Sequence, residues 1–134
     1  MALRISLRDG EKVIVNGAVL RAVGRMTLDV ENGAAVLRGR ELMQPDEART
    51  PASRVYFACM MAYIDPEGRA AYQESLVSLI GDLLEALQAP DARACCIRVA
   101  QKVACRDFYR ALTDCRWLMR YEADAMARLL PEAV

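Results

Sequence analysis

The chain has 134 residues, 18 Lys+Arg against 18 Asp+Glu, no His, five Cys and 54% hydrophobic residues. That length fits one domain, or one domain built from two unlike halves, with enough apolar material for a core. Zero formal charge argues against coating nucleic acid by bulk electrostatics, and the lack of His removes Ser-His and Cys-His nucleophile pairs and every His-containing zinc site.

From Leu3 to Leu42 short apolar runs alternate with turn signals. Leu3, Ile5 and Leu7 alternate with Arg4, Ser6 and Arg8, which predicts a half-buried strand with cations on its open face. Asp9-Gly10 is a turn signal, Val13-Ile14-Val15 a second strand, and Asn16-Gly17 a dipeptide that tolerates the positive φ of a type I′ hairpin. Ala18 to Val23 is the third strand, Met26 to Val30 the fourth, and Ala35-Val36-Leu37 the fifth. The pattern predicts a small antiparallel β-meander over residues 1–44, which needs a partner to cover its apolar face.

Past Gln44-Pro45 the period becomes helical, over residues 45–134. Thr50 is an N-cap with Pro51 at the first helical position, and this helix runs through the apolar stretch Val55–Ile64 to Asp65-Pro66. The same pair is expected to start the next helix, with Asp65 as its cap. Tyr72, Leu76, Leu79, Ile80, Leu83, Leu84 and Leu87 then form one apolar stripe at the 3.6-residue period. Ala89-Pro90-Asp91 breaks it. A third helix carries Cys96, Val99, Ala100 and Val103, and Asp107 caps a fourth with Phe108, Leu112, Cys115 and Met119 inside. Pro131 is expected to end the structure. The fold class is therefore α+β, a β-meander packed on about four helices.

The N-terminus shows no signal-peptide core, and the longest uncharged apolar run, ten residues, is half of the roughly 20 needed to span a bilayer. Cys59, Cys95, Cys96, Cys105 and Cys115 are odd in number and contain no C-x-x-C, so they read as small hydrophobes of helical segments in a reducing cytoplasm. No metal site, cofactor or membrane association is expected. Glu122 and Asp124 sit near a frayed C-terminus and, offset by two, do not share a helix face; Glu67 with Arg69, and Asp82 with Glu85, read as solvated helix surface, and no glycine-rich phosphate loop is present. The chain reads as a non-enzyme.

Basic residues are the more informative set. Sixteen of the 18 cations are Arg, whose planar fork suits phosphates, although a GC-rich genome produces the same bias. Through residue 44 seven cations face five acids, and Arg4, Arg8, Lys12, Arg38 and Arg40 are the candidate nucleic-acid contacts. Arg98, Lys102, Arg106 and Arg110 recur every fourth residue, but a break near Asp107 splits that stripe. All eight aromatics lie in the helical half, as core rather than as base-stacking platforms.

Several segments together carry a resemblance. They are Leu3-Arg4-Ile5-Ser6-Leu7-Arg8-Asp9-Gly10-Glu11-Lys12, Val15-Asn16-Gly17-Ala18-Val19, Thr50-Pro51-Ala52-Ser53-Arg54-Val55-Tyr56-Phe57, Asp65-Pro66 and Asp107-Phe108-Tyr109-Arg110-Ala111-Leu112. On these the chain resembles the FlbT family of flagellin-biosynthesis regulators over essentially its full length, departing from it at Cys95-Cys96 and Cys105. The resemblance implies a cytoplasmic post-transcriptional repressor that associates with the 5′-untranslated leader of flagellin mRNA and promotes its decay. It also implies, as partners, flagellin itself or a small flagellar co-regulator. Residues 1–44 are similar, over a shorter match, to the carbon storage regulator family of intertwined RNA-binding dimers. That likeness suggests that Arg4, Arg8, Arg38 and Arg40 converge, and that the chain forms a homodimer. The alternative is a protein-binding adaptor or chaperone-like module for flagellin or the co-regulator, with indirect effects on RNA.

Overall fold

The computed structural model describes residues 3–129. Five strands precede four helices, an α+β order: β1 (Leu3–Leu7), β2 (Lys12–Val15), β3 (Ala18–Arg21), β4 (Met26–Val30), β5 (Val36–Arg38), α1 (Pro51–Ile64), α2 (Arg69–Ala86), α3 (Pro90–Ala104) and α4 (Phe108–Leu129). Two short 3-10 turns, Gly39–Glu41 and Pro45–Glu47, connect β5 to α1. The end expected at Pro131 lies outside the described residues.

The strands pair antiparallel, but not as a meander. Only β2 and β3 form a hairpin of neighbours; β2 also pairs with β5, and β1 pairs with β4. The hairpin closes at Asn16 (φ 51°) and Gly17 (φ 86°), both in the left-handed region that a type I′ turn requires. Strand β3 ends at Arg21, two residues earlier than its apolar run suggested.

Side-chain alternation explains why two sheets form. In β2, Val13 and Val15 lie on one face with Val36, while Ile14 shares the other face with Leu37. Val13 and Val36 pack against Ile5 and Leu7 of β1 in one small core. Ile14 and Leu37 join the main core with the helices. Strands β2 and β5 therefore form a middle layer, covered by β1-β4 on one side and by helices on the other, whereas all four residues of β3 are exposed. This is why Val13-Ile14-Val15 is apolar without alternating.

In the helical half, α1 is buried nearly all round and packs against α2 and α4. Thr50 caps it as expected: its side chain accepts the Ser53 N–H at 3.2 Å, and Ser53 Oγ accepts the Thr50 N–H at 2.8 Å. The helix expected to restart at Pro66 begins instead at Arg69. Asp65 closes a turn by accepting the Gly68 N–H at 3.1 Å, and a β-carbon at position 68 would sit 2.5 Å from Asp65 Oδ2. Arg69 then caps the end of α1, Nε donating to the Ala62 carbonyl at 2.7 Å and Nη2 to Tyr63 at 3.3 Å. Glu122, expected near a frayed end, is held within α4, and its Oε2 accepts the Ala52 N–H in the first turn of α1 at 3.0 Å.

Four of the five thiols are buried in the helical core, but Cys105, expected among the apolar positions, is exposed at the end of α3. All five are free. No helix among the described residues is long and apolar enough to cross a membrane.

The α2 stripe turns inward as its period requires, with Leu76, Ile80 and Leu83 buried. Ile80 is 6% exposed and Val77, one turn away, 70%. Replacing Ile80 by Asp places an unpaired charge in that core. The expected cost is more than about 4 kcal/mol, a large share of what a domain of this size holds. Ile80→Asp is expected to abolish the cooperative thermal transition followed by circular dichroism, whereas Val77→Asp should melt within a few degrees of the parent.

Candidate nucleic-acid interface

The turn between β1 and β2 and the end of β5 enclose a cleft. Arg8, Asp9, Gly10, Glu11, Arg38 and Arg40 line a depression of about 580 Å³. A contiguous one of about 470 Å³ shares Arg8, Asp9, Glu11 and Arg38 and adds Arg25. Its geometry is fixed by hydrogen bonds. Asp9 accepts the Gly24 N–H at 2.7 Å, and Glu11 accepts the Arg8 N–H at 3.0 Å. Arg38 reaches across the layers: Nη2 donates to the Ser6 carbonyl at 2.6 Å and to Glu11 Oε2 at 3.0 Å. The Arg8 N–H, followed by the Arg38 guanidinium, holds the Glu11 carboxyl below its ordinary range.

Of the five candidate contacts, the structure therefore brings three together, Arg8, Arg38 and Arg40. Arg4 stands apart. It lies on the outer face of β1 opposite Asp29, whose carboxylate its Nε meets at 2.9 Å. Lys12 is carried opposite Arg21 on the face of β2 shared with Ile14, away from the cleft side. Arg25, close to the cleft at the start of β4, escaped a sequence reading that followed strand parity. Arg8 and Arg40 make no ion pair among the described residues. The helical cations differ. Arg98 and Lys102 both engage Asp114, at 3.7 and 2.6 Å, and the stripe they begin ends with α3.

Behind the cleft lies a polar junction that joins strands to helices. Glu41 is a carboxylate only 8% exposed. Its Oε1 accepts the Arg38 N–H at 2.9 Å, and its Oε2 accepts the Tyr109 hydroxyl at 2.8 Å, with Arg116 Nη2 at 3.7 Å. The Tyr56 hydroxyl donates to the Glu41 carbonyl at 2.6 Å and accepts from Arg116 at 3.1 Å. The Tyr63 hydroxyl accepts the Val36 N–H at 2.9 Å, and its ring packs on Tyr109 with centroids 5.2 Å apart. Tyr56 is thus a core aromatic with a polar tip and Tyr63 is half-buried, whereas Tyr109, expected in the core, is 42% exposed and reaches Glu41 through its hydroxyl. Glu41 itself was not legible as the anchor of Tyr56 and Tyr109.

An α+β chain with this strand-then-helix order matches the family model described as Flagellar protein FlbT over residues 3–126. A Caulobacter vibrioides protein named Flagellum biosynthesis repressor protein FlbT is 35% identical over 130 residues, 96% of this chain and 92% of the relative. Proteins named Probable flagellum biosynthesis repressor protein FlbT are 38% identical in another Caulobacter species, over 91% of this chain and 94% of the relative, and 36% identical in Agrobacterium fabrum, over 90% and 80%. No solved structure matches. The chain belongs to the FlbT family of flagellar proteins.

Burial, and then the hydrogen bond to the Glu41 carboxylate, raise the Tyr109 hydroxyl from 10.0 to about 12. A folded-state value above the unfolded one means that the neutral hydroxyl stabilises the fold below pH ~10 and that this contribution fades toward pH ~12. Tyr109→Phe is expected to lower stability by about 1 kcal/mol at neutral pH, the worth of a partly exposed hydrogen bond. Denaturant titrations of both proteins should show that gap closing between pH 10 and 12; a constant gap would show that the hydroxyl is not bonded to Glu41.

Proposed function

We propose that this chain is a cytoplasmic repressor of flagellum biosynthesis that acts post-transcriptionally, associating with the 5′-untranslated leader of flagellin mRNA and promoting its degradation by cellular nucleases. Membership of the FlbT family, with near full-length relatives named as repressors of flagellum biosynthesis, supports the repressor role. The observation that supports RNA contact is the cleft where Arg8, Arg25, Arg38 and Arg40 face two carboxylates, leaving an excess of guanidinium charge beside a rigid turn. Guanidinium forks suit phosphate oxygens. The strands carry no aromatic residue, so the contact is to backbone phosphate and to RNA shape rather than to stacked bases. Nothing in this reading requires catalysis by the chain itself.

A second reading is favoured by a different surface. Pro51, Leu83, Leu87, Leu118, Met126 and Leu129 line an apolar groove at the far end of the helices, with Met126 55% and Leu129 83% exposed. Such a groove suits a protein partner, flagellin, the co-regulator or a second copy, in an adaptor whose effects on RNA are indirect.

The two readings part in a salt titration of the purified protein with leader RNA. Three phosphate contacts predict a slope of roughly −2 in log affinity against log salt, and removing one Arg should reduce its magnitude by about 0.7. Arg8→Ala and Arg40→Ala are the informative variants, because neither guanidinium makes an ion pair among the described residues, whereas Arg38 also holds the Ser6 carbonyl. Arg98→Ala, on the helical face beside Asp114, should leave the slope unchanged. Equal losses from all three would indicate diffuse electrostatics, and no binding by the pure protein would favour the adaptor.

A further inference from the structure

At the corner between α3 and α4 an arginine occupies a backbone position that favours glycine. Arg106 has φ 59°. The end of α3 closes with the Asp107 N–H on the Lys102 carbonyl at 2.8 Å and the Arg106 N–H on Val103 at 3.0 Å, an arrangement that places Arg106 where glycine is usual. The side chain is exposed and makes no ion pair among the described residues. The strained residue therefore does nothing for the corner that glycine would not do better. Such residues cluster at functional sites.

What Arg106 does is line a cavity of about 360 Å³, between the loop before β5 and the ends of α1 and α3. Arg69 is on the wall with it. Its Nε and Nη2 are held by the Ala62 and Tyr63 carbonyls, which fixes the guanidinium and leaves Nη1 unbonded among the described residues. Asn16 adds an amide whose Oδ1 already accepts the Ala35 N–H at 2.8 Å, so that its NH₂ is left to donate. Among the described residues no acidic side chain lines this cavity, whereas Asp9 and Glu11 stand inside the arginine cleft. Its polar side chains are donors, and two of them carry fixed positive charge.

We propose that this cavity binds a phosphate group, held as a dianion between the guanidiniums of Arg69 and Arg106 with the Asn16 amide as a further donor. Two guanidiniums match the charge and the oxygens of a phosphate monoester better than the single charge of a carboxylate or an internal phosphodiester. The group is a terminal phosphate, carried by a nucleic-acid end or by a free nucleotide. The site is separate from the arginine cleft and stands or falls independently of it.

Arg106→Gly tests the site without risk to the fold, since glycine suits the left-handed backbone. In the absence of phosphate this variant is expected to melt above the parent. Inorganic phosphate, compared with chloride at equal ionic strength, should raise the melting temperature of the parent, and Arg106→Gly should bind phosphate about tenfold more weakly or worse. Adenosine monophosphate and a pair of oligonucleotides differing only in a 5′-phosphate locate the source. Preference for the phosphorylated oligonucleotide over both its 5′-hydroxyl twin and the mononucleotide supports a nucleic-acid end, and equal binding of the mononucleotide supports a free nucleotide. No phosphate-specific shift in the parent, or the same shift in Arg106→Gly, overturns the proposal.

Discussion

A buried carboxylate at position 41 is the constraint on which the rest of the molecule depends. Taking a charge out of water costs several kcal/mol unless hydrogen bonds and an opposite charge replace the lost solvation. Glu41 satisfies that demand only if β5, α1 and α4 meet around it, because its partners are the Arg38 N–H, Tyr109 and Arg116, with Tyr56 on its own carbonyl. No local rearrangement provides the same set. Fixing these groups seats Leu37 and Ile14 on the helices, so that the middle sheet is oriented and its other face is left for β1 and β4. Arg38 then links the junction to the cleft: its N–H is bound to Glu41 and its guanidinium to Ser6 and Glu11.

Features with a local cause were legible in the sequence. The alternation of β1, the Asn16-Gly17 hairpin, the Thr50-Pro51 cap and the Tyr72–Leu87 stripe each follow from backbone geometry over a few residues, and each stands where it was expected. What was not legible is non-local. Pairing of β1 with β4 rather than β2 depends on which faces the middle strand must bury. Glu41 and Tyr109 are 68 residues apart, and Glu122 and Ala52 70 apart, so no period connects them. The role of Arg69 was hidden because a capping arginine resembles a solvated one until the carbonyls of Ala62 and Tyr63 are placed beside it.

The candidate site was half legible for the same reason. Counting cations singled out the segments that line the cleft, where Arg8, Arg38 and Arg40 converge. Strand parity alone could not reveal that Arg4 faces Asp29, because that contact follows from the β1-β4 register. A chain with zero formal charge can thus hold distinct electrostatic surfaces. Asp114 pairs with Arg98 and Lys102, while Arg8 and Arg40 make no ion pair among the described residues and Arg69 and Arg106 line one cavity at the corner.

The central claim is that the Glu41 junction makes strands and helices one cooperative unit. Native-state hydrogen exchange tests it directly, because the Val36 and Arg38 amides donate to Tyr63 and Glu41 at that junction. The account predicts that both exchange only through the opening that also exposes the amides of α1, with the same free energy and the same denaturant dependence. Exchange of Val36 and Arg38 through a separate, lower-energy opening, while α1 stays protected, would contradict it.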